Sequence, residues 1–316
     1  MLSALQLLIG LVVLTIGADI LVRGSVGIAQ HLRIPHLIVG LTIVAFGTSA
    51  PELVISLKAA TEGSGGIAIG NVVGSNIANI LIVLGLPSVI TATLCDAKGT
   101  GRNLLFLLAI TLIFLALCWD GELSRSDGVI LLVLFVIFFG GQFASIVSAR
   151  RETPTEIEEI DGVPTSVAVA CLFTLIGLIA LPFAADAVVE GAIGIATIFG
   201  ISETAIGVTV VALGTSLPEL AAAVMAAMRG HSAVAIGNAI GSNIFNLLAI
   251  MGITATLIPV DVPPDFFDFE LWAMVAAVFF IVPFVAMCWP IGRATGALMT
   301  LAYLAVMYAA LGGNVI

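Results

Sequence analysis

The sequence predicts an all-α membrane protein: ten transmembrane helices arranged as two five-helix repeats of inverted topology. Three observations carry that prediction. Hydrophobic residues make up 60% of the 316-residue chain and charged residues 9%, with a mean hydropathy of +1.24. Soluble domains carry about 25% charged residues, and no polar segment here is long enough to cover so apolar a core. The chain also repeats itself at an offset of 167 residues: 42–53 read TIVAFGTSAPEL and 209–220 read TVVALGTSLPEL, while IGNVVGSNIAN at 69–79 matches IGNAIGSNIFN at 236–246. Over windows 34–53 and 67–79, 20 of 33 positions are identical to their partners. Finally, the positive charges sort to one side once the apolar stretches are numbered alternately.

A span needs about 20 apolar residues. The first, 2–22, lacks a basic leader and a small-residue cleavage site, so it reads as a retained helix. Spans at 37–60, 67–90, 103–118 and 128–148 complete a first repeat, residues 1–149. The hydrophilic stretch 150–164 forms a linker. Spans at 165–188, 204–228, 233–258, 269–289 and 293–311 make a second repeat, residues 165–316. An odd number of spans per repeat starts the second copy on the opposite side of the membrane. With the N-terminus outside, Arg23, Arg33, Lys98, Arg102, Arg150, Arg151, Arg229 and Arg293 all fall inside, and only Lys58 and Arg125 fall outside. Both termini are then extracytoplasmic and loop 150–164 cytoplasmic. A short chain without a targeting segment suits a prokaryotic inner membrane.

The net charge of −10 and the absence of a basic stripe exclude nucleic acid as a partner. Cys95, Cys118, Cys171 and Cys288 are scattered and read as apolar packing. Neither repeat pairs a nucleophile with a histidine, which argues against an enzyme.

Carboxylates at membrane depth are costly and functional by default, and each repeat carries one in the same setting. In GTSAPE, residues 47–52, Pro51 donates no backbone hydrogen bond and crowds the Gly47 carbonyl. The helix should break there and leave carbonyls around Ala45 to Thr48 without intrahelical partners. Thr48 and Glu52 share a face, with Ser49 beside them; Ala212, Gly214, Thr215, Ser216, Pro218 and Glu219 repeat the arrangement. Ser75 with Asn79, and Ser242 with Asn246, add oxygens at four-residue spacing. Asn71, Asn76, Asn238 and Asn243 are expected to bond backbone or cross-helix partners, and the Gly70/Gly74 and Gly237/Gly241 pairs to let helices approach. A single such motif could be a kink with a hydroxyl-satisfied acid; two copies turned face to face by inversion argue for a site.

Carbonyls, hydroxyls and carboxylates are hard donors that suit Ca²⁺ and the similarly sized Na⁺, whereas Mg²⁺ demands stricter geometry and keeps its waters. Without histidine or cysteine in the motifs, zinc, copper and iron are poorly served. One Ca²⁺ neutralises two glutamates, and so do several Na⁺. Competition for one cage combined with alternating access, the habit of inverted-repeat transporters, is antiport. Exchange of Ca²⁺ for protons and a passive cation channel are the alternatives; the first predicts dependence on a pH gradient, the second flux without a counter-ion.

At these residues the chain resembles the sodium/calcium exchangers of the calcium/cation antiporter superfamily, in their prokaryotic ten-helix form, over essentially its full length. The resemblance implies Glu52 and Glu219 as central cation ligands, side chains of Thr48, Thr215, Ser49 and Ser216, and carbonyls of Ala45 and Ala212. It further implies flanking ligands from Ser75, Asn79, Ser242 and Asn246, with several Na⁺ exchanged for one Ca²⁺. Na⁺ and Ca²⁺ are then cargo, no cofactor is expected, and the single chain should work as a monomer in the bilayer. Some members carry aspartate where this chain has Asn79 and Asn246, and its absence argues against potassium co-transport.

Asp19 and Asp186 are related by the same offset. Asp19, four residues from Arg23, reads as a helix-surface pair; alternatively the first and sixth helices are sliding gates with these acids at their mouths. Glu190 and Glu203 read as boundary charge. The acidic 150–161 stretch reads as a solvated hinge, and Asp261, Asp265, Asp268 and Glu270 as a polar hairpin. His31, His36 and His231 are expected as isolated surface residues at helix ends.

Overall fold

In lipid every backbone polar group must be satisfied within the protein, which leaves long apolar runs only the helix. The computed structural model describes residues 2–152, 163–199 and 212–310, the side chains of 147–152 and of Ala212 excepted. Its helices are α1 (Leu2–Leu32), α2 (His36–Thr48), α3 (Ala50–Thr61), α4 (Gly65–Ile90), α5 (Thr100–Leu117) and α6 (Arg125–Glu152), followed by α7 (Val167–Ile198), α8 (Ala212–Thr215), α9 (Leu217–Met228), α10 (Ser232–Leu257), α11 (Glu270–Ala286) and α12 (Arg293–Ala310). Helices α2 and α3 are one span bent by 45°. Most of the linker 150–164, the start of the seventh span, Glu203 and the last six residues lie outside the described residues.

The first and sixth spans are longer than the expected 2–22 and 165–188. At 31 and 32 residues and about 1.5 Å per residue, each outruns a hydrocarbon core of about 30 Å. They persist past their apolar stretches because they pack on each other. Glycines at positions 10, 17 and 24 of α1 recur every seventh residue and lie against α7, the spacing of a close helix–helix seam. The seam is self-complementary. Gly10 lies on Val188, and its repeat mate Gly177 lies on Leu21, the mate of Val188. Gly24 lies on Thr174 and its mate Gly191 on Leu7, while Gly27 lies on Ala170 and its mate Gly194 on Ser3. Such reciprocal contacts between antiparallel helices require a two-fold axis across the bundle, so the two repeats are inverted.

The short β elements obey the same axis. Strand β1 (Glu122–Leu123) pairs antiparallel with β2 (Val260–Asp261), with Leu123 opposite Val260. At the other end of the bundle, Thr93, the mate of Val260, bridges to Ile291. The two faces are thereby defined. Loops around Arg33, Thr93, Pro164, Arg229 and Ile291 share one, the Arg229 face; those around Glu62, Leu123 and Asp261 share the other, the Asp261 face.

The core is built from α4 and α10. The apolar window of α10 is 100% buried and that of α4 78%, against 17% for α6, 28% for α7 and 33% for α1. Phe46, Leu105, Val136, Phe183 and similar exposed side chains coat the outside, as hydrocarbon contact permits. Gly237 and Gly241 of α10 fit against α2, where a Cβ at either would fall 2.6 Å from backbone atoms of Leu37 or Leu41. In the first repeat Gly70 instead faces the ring of Phe266.

Several expectations need correction. The histidines are not isolated: His31 contacts the Pro164 carbonyl through Nε2 at 2.9 Å, and His36 meets His231 edge to face at 5.7 Å. The α1–α2 and α9–α10 connections converge on one face and bring these rings together. Asp19 is not a purely local partner of Arg23, since Arg229 also contacts it. The acidic run 261–270 is a strand followed by a single 3₁₀ turn, Pro264–Phe267, rather than a simple hairpin, because β1 offers the exposed backbone a partner.

Candidate cation site at two broken helices

Each broken span departs from helix at the serine before its proline. Ser49 sits at φ −86°, ψ 8° and Ser216 at φ −86°, ψ 4°, the bridge conformation in which an α-helix cannot continue. Pro51 deprives Gly47 of its i+4 donor, and Pro218 does the same to Gly214. The expectation for Ala45 was too broad, however. Its carbonyl keeps an intrahelical bond from the Ser49 N–H at 3.1 Å, since the proline silences only the carbonyl four residues before it. The ladder resumes beyond the break, with Leu53 N–H bonding to Ser49 O at 3.3 Å and Leu220 N–H to Ser216 O at 3.0 Å.

The breaks are held by asparagines of the partner helices, in both repeats alike. Asn71 on α4 donates through Nδ2 to the Glu52 carbonyl at 3.2 Å, and Asn238 on α10 donates to the Glu219 carbonyl at 3.3 Å. Asn76 turns back to the Val72 carbonyl at 2.7 Å, and Asn243 reaches across the bundle to the Asn76 carbonyl at 3.2 Å. These four therefore take the backbone and cross-helix partners expected of them.

Around the breaks, Thr48, Ser49, Glu52, Ser75, Asn79, Ser216, Glu219, Ser242 and Asn246 are buried, as is Ala45, and Thr215 is half-buried. Ala212 opens α8, its side chain beyond the described residues. The Thr48 hydroxyl has three acceptors in reach of its one proton, the Val44 carbonyl at 3.0 Å, the Ala45 carbonyl at 3.4 Å and Asn238 Oδ1 at 3.4 Å. Ser49 donates to Glu219 Oε1 at 2.9 Å.

What distinguishes the cluster is the set of buried atoms with no hydrogen-bond partner among the described residues. Both carboxylate oxygens of Glu52 belong to it, with Glu219 Oε2, Ser216 Oγ, Ser242 Oγ, Asn79 Oδ1 and both amide atoms of Asn246. Leaving one such group unpaired costs about 1–3 kcal/mol, and more if it is charged. Almost all of these atoms are oxygen acceptors, drawn from both repeats, and the two carboxylates feel each other's charge. Neither glutamate has a Lys or Arg partner among the described residues. A group that satisfies several oxygens and cancels negative charge at once is a hard cation. Among the described residues no cluster of three His, Cys, Asp or Glu side chains could hold a softer metal.

Two features here had no signal in the repeat. One is the π-helical turns at Gly40–Val44 and Asn246–Ile250, which widen α2 and α10 next to the breaks, as such turns do at functional sites. The other is the asymmetry of Ser49 and Ser216, whose sequence surroundings are copies.

The model of the family described as sodium/calcium exchanger protein matches residues 2–144 and 169–312. The inner membrane protein YrbG of Escherichia coli is 34% identical, over 98% of this chain and 97% of its own. The sodium/calcium exchanger MaX1 of Methanosarcina acetivorans is 30% identical, over 96% of this chain and 97% of its own. A solved structure of the sodium-calcium exchanger NCX_Mj superposes with a TM-score of 0.82 at 33% identity, covering 98% of both chains.

Proposed function

The chain belongs to the sodium/calcium exchanger protein family, and from that premise we propose how this molecule exchanges Na⁺ for Ca²⁺ across its membrane. Glu52 and Glu219 are the central ligands. Thr48, Thr215, Ser49, Ser216, Ser75, Asn79, Ser242 and Asn246 complete the cage with side-chain oxygens, and Ala45 and Ala212 with carbonyls. The single observation that supports this reading is the convergence of buried oxygens from both repeats, unpartnered among the described residues, on two carboxylates that have no basic partner among those residues.

The exchange follows from charge. An ionised carboxylate buried without a counter-charge is strongly disfavoured, so the unloaded cage cannot cross its dehydrated intermediate cheaply. One Ca²⁺ cancels both charges; Na⁺ ions spread over the same oxygens also cancel them. Either load lets the protein switch sides, and the two compete because they use the same atoms. The downhill passage of one ion then drives the other uphill. Mg²⁺ fits badly, since its octahedral shell at about 2.0–2.1 Å is smaller and stricter than the cage oxygens suit. With asparagine at 79 and 246, no third carboxylate stands ready for K⁺.

The repeats are residues 1–149 and 165–316, joined by the linker 150–164. The Arg229 face, rich in arginine, is cytoplasmic, which places both termini and the Asp261 face outside. The membrane is the inner membrane of a prokaryotic cell, and the working unit is a monomer, because one chain supplies both halves of the cage.

Vesicles containing the protein, loaded with Na⁺ and diluted into Na⁺-free medium, should accumulate Ca²⁺. Glu52→Gln or Glu219→Gln should lower uptake at least about a hundredfold, the scale of losing one member of a buried charge set, with the protein still monodisperse. Uptake that follows a pH gradient and ignores Na⁺ would instead make it a Ca²⁺/H⁺ exchanger.

A further inference from the structure

The inverted repeats make a controlled comparison between the two mouths of the molecule, because each position on one face has a mate 167 residues away on the other. On the Arg229 face, Asp19 of α1 is held by two arginines. Arg23, one turn along the same helix, brings Nε to 2.8 Å from Asp19 Oδ2, without hydrogen-bond alignment. Arg229, at the end of α9, puts Nε and a terminal guanidinium nitrogen on Asp19 Oδ1. The mates of Asp19, Arg23 and Arg229 are Asp186, Glu190 and Glu62. One mouth thus carries an acid between two bases, and the other carries three acids.

Like charges cannot clamp, and the structure shows the second trio turned to other partners. Glu190 accepts from Gln6 Nε2 at 2.5 Å, and Glu62 lies 3.9 Å from Lys58. Asp186 lines a cavity of about 120 Å³ together with Pro51, Ile55, Val189, Thr215 and Pro218, which reaches the outer side of both helix breaks. Matching positions at the clamped mouth are more deeply buried. Val22 is 0% exposed where its mate Val189 is half-buried, and Ala222 is 2% exposed where its mate Ile55 is 37% exposed.

We propose that Asp19, Arg23 and Arg229 form an electrostatic latch between α1 and the end of α9 that holds the Arg229 mouth shut, and that the all-acidic trio at the other mouth leaves that side without a latch. The charge inversion biases the two otherwise symmetric states, so the molecule rests open toward the Asp261 face. Opening the Arg229 mouth requires α1 to part from α9, and so requires this pairing to break. The proposal rests on the exchange reading for its purpose, but not for its test.

The test is cysteine accessibility. In a background with Cys171→Ser and Cys288→Ser, Ile55→Cys and Ala222→Cys report the two mouths to a hydrophilic maleimide applied to detergent-solubilised protein. Ile55→Cys should label readily and Ala222→Cys slowly. Adding Arg229→Gln should speed Ala222→Cys labelling about two- to fivefold, the range that a partly exposed ion pair controls, and slow Ile55→Cys labelling. The exchanged pair Asp19→Arg with Arg229→Asp should restore the slow rate. Asp19→Asn serves as a second single variant if Arg229→Gln is not monodisperse. Unchanged Ala222→Cys labelling in both single variants overturns the latch, as does failure of the exchanged pair to restore protection. Because labelling needs no ion gradient, a protein that shifts its labelling yet moves no Ca²⁺ refutes the exchange reading and leaves the latch standing.

Discussion

The Ser49 hydroxyl donates a hydrogen bond to the Glu219 carboxylate at 2.9 Å, so the break of one repeat supports the acid of the other. The converse contact is missing: Ser216 Oγ and both Glu52 oxygens have no partner among the described residues. Two carboxylates that look interchangeable in sequence are thus held differently, Glu219 by a protein hydrogen bond and Glu52 by none among the described residues. A hydrogen bond to a charged group is worth about 1.5–3 kcal/mol. Ser49→Ala should therefore raise the half-saturating Ca²⁺ concentration from the Asp261 face at least about tenfold, and Ser216→Ala by a smaller factor. Equal effects in concentration-dependent uptake would mean that the asymmetry does not persist in the loaded protein.

Asn238 bears on the same acid from behind. Its Nδ2 caps the Glu219 carbonyl at 3.3 Å, and its Oδ1 stands 3.4 Å from the Thr48 hydroxyl, so one side chain ties α10 to both breaks. Asn238→Leu leaves that buried carbonyl without its donor, a cost of about 1–3 kcal/mol. The variant should melt at lower temperature in detergent and bind Ca²⁺ more weakly. Asn238→Ala, which admits water more easily, should lose less. A melting temperature unchanged in Asn238→Leu would remove this asparagine from the framework.

The repeat made the architecture legible because a duplicated proline next to a buried acid has few bland explanations, and odd spans per copy force inversion. Spacing alone puts Thr48 and Glu52 on one helix face with Ser49 beside them, but the break falls at Ser49, between the two. Arg229 could not be matched to Asp19 in the same way, since nothing local joins positions 210 residues apart. The π turn at Asn246–Ile250 was hidden for a different reason. Four of its five residues are apolar, and only packing against the neighbouring helices decides how the turn winds. Spans 2–22 and 165–188 follow from the roughly 20 apolar residues a bilayer needs, whereas mutual packing carries α1 and α7 further.

The α1–α7 seam makes a sharper demand on side-chain size. A Cβ at Gly24 would fall 2.5 Å from the Thr174 backbone nitrogen, and one at Gly191 2.6 Å from that of Leu7. Backbone cannot yield as a flexible side chain can, so the helices must separate. Gly24→Val and Gly191→Val should each reduce the yield of monodisperse protein or the rate of exchange several-fold, and to similar extents, because the two positions are mates across the axis. Gly141→Val, where a Cβ meets nothing within 4 Å, should behave as wild type. A silent Gly24→Val would show that the seam is looser than the contacts imply.

His231, in the connection between α9 and α10, makes an acid-sensitive element outside the spans. Burial first, then the neighbouring His36 and Arg229, hold its imidazole down at about 4, whereas an unfolded histidine titrates near 6.5. Between those values the unfolded chain binds a proton that the folded chain refuses, so stability falls as pH drops from 6.5 toward 4 and is unaffected above that window. The melting temperature of the wild type should therefore decline between pH 7 and pH 5. His231→Gln, which fills the same space against His36 without titrating, should decline less steeply over that interval. Parallel curves for the two proteins would assign the acid sensitivity to other groups and leave His231 as packing alone.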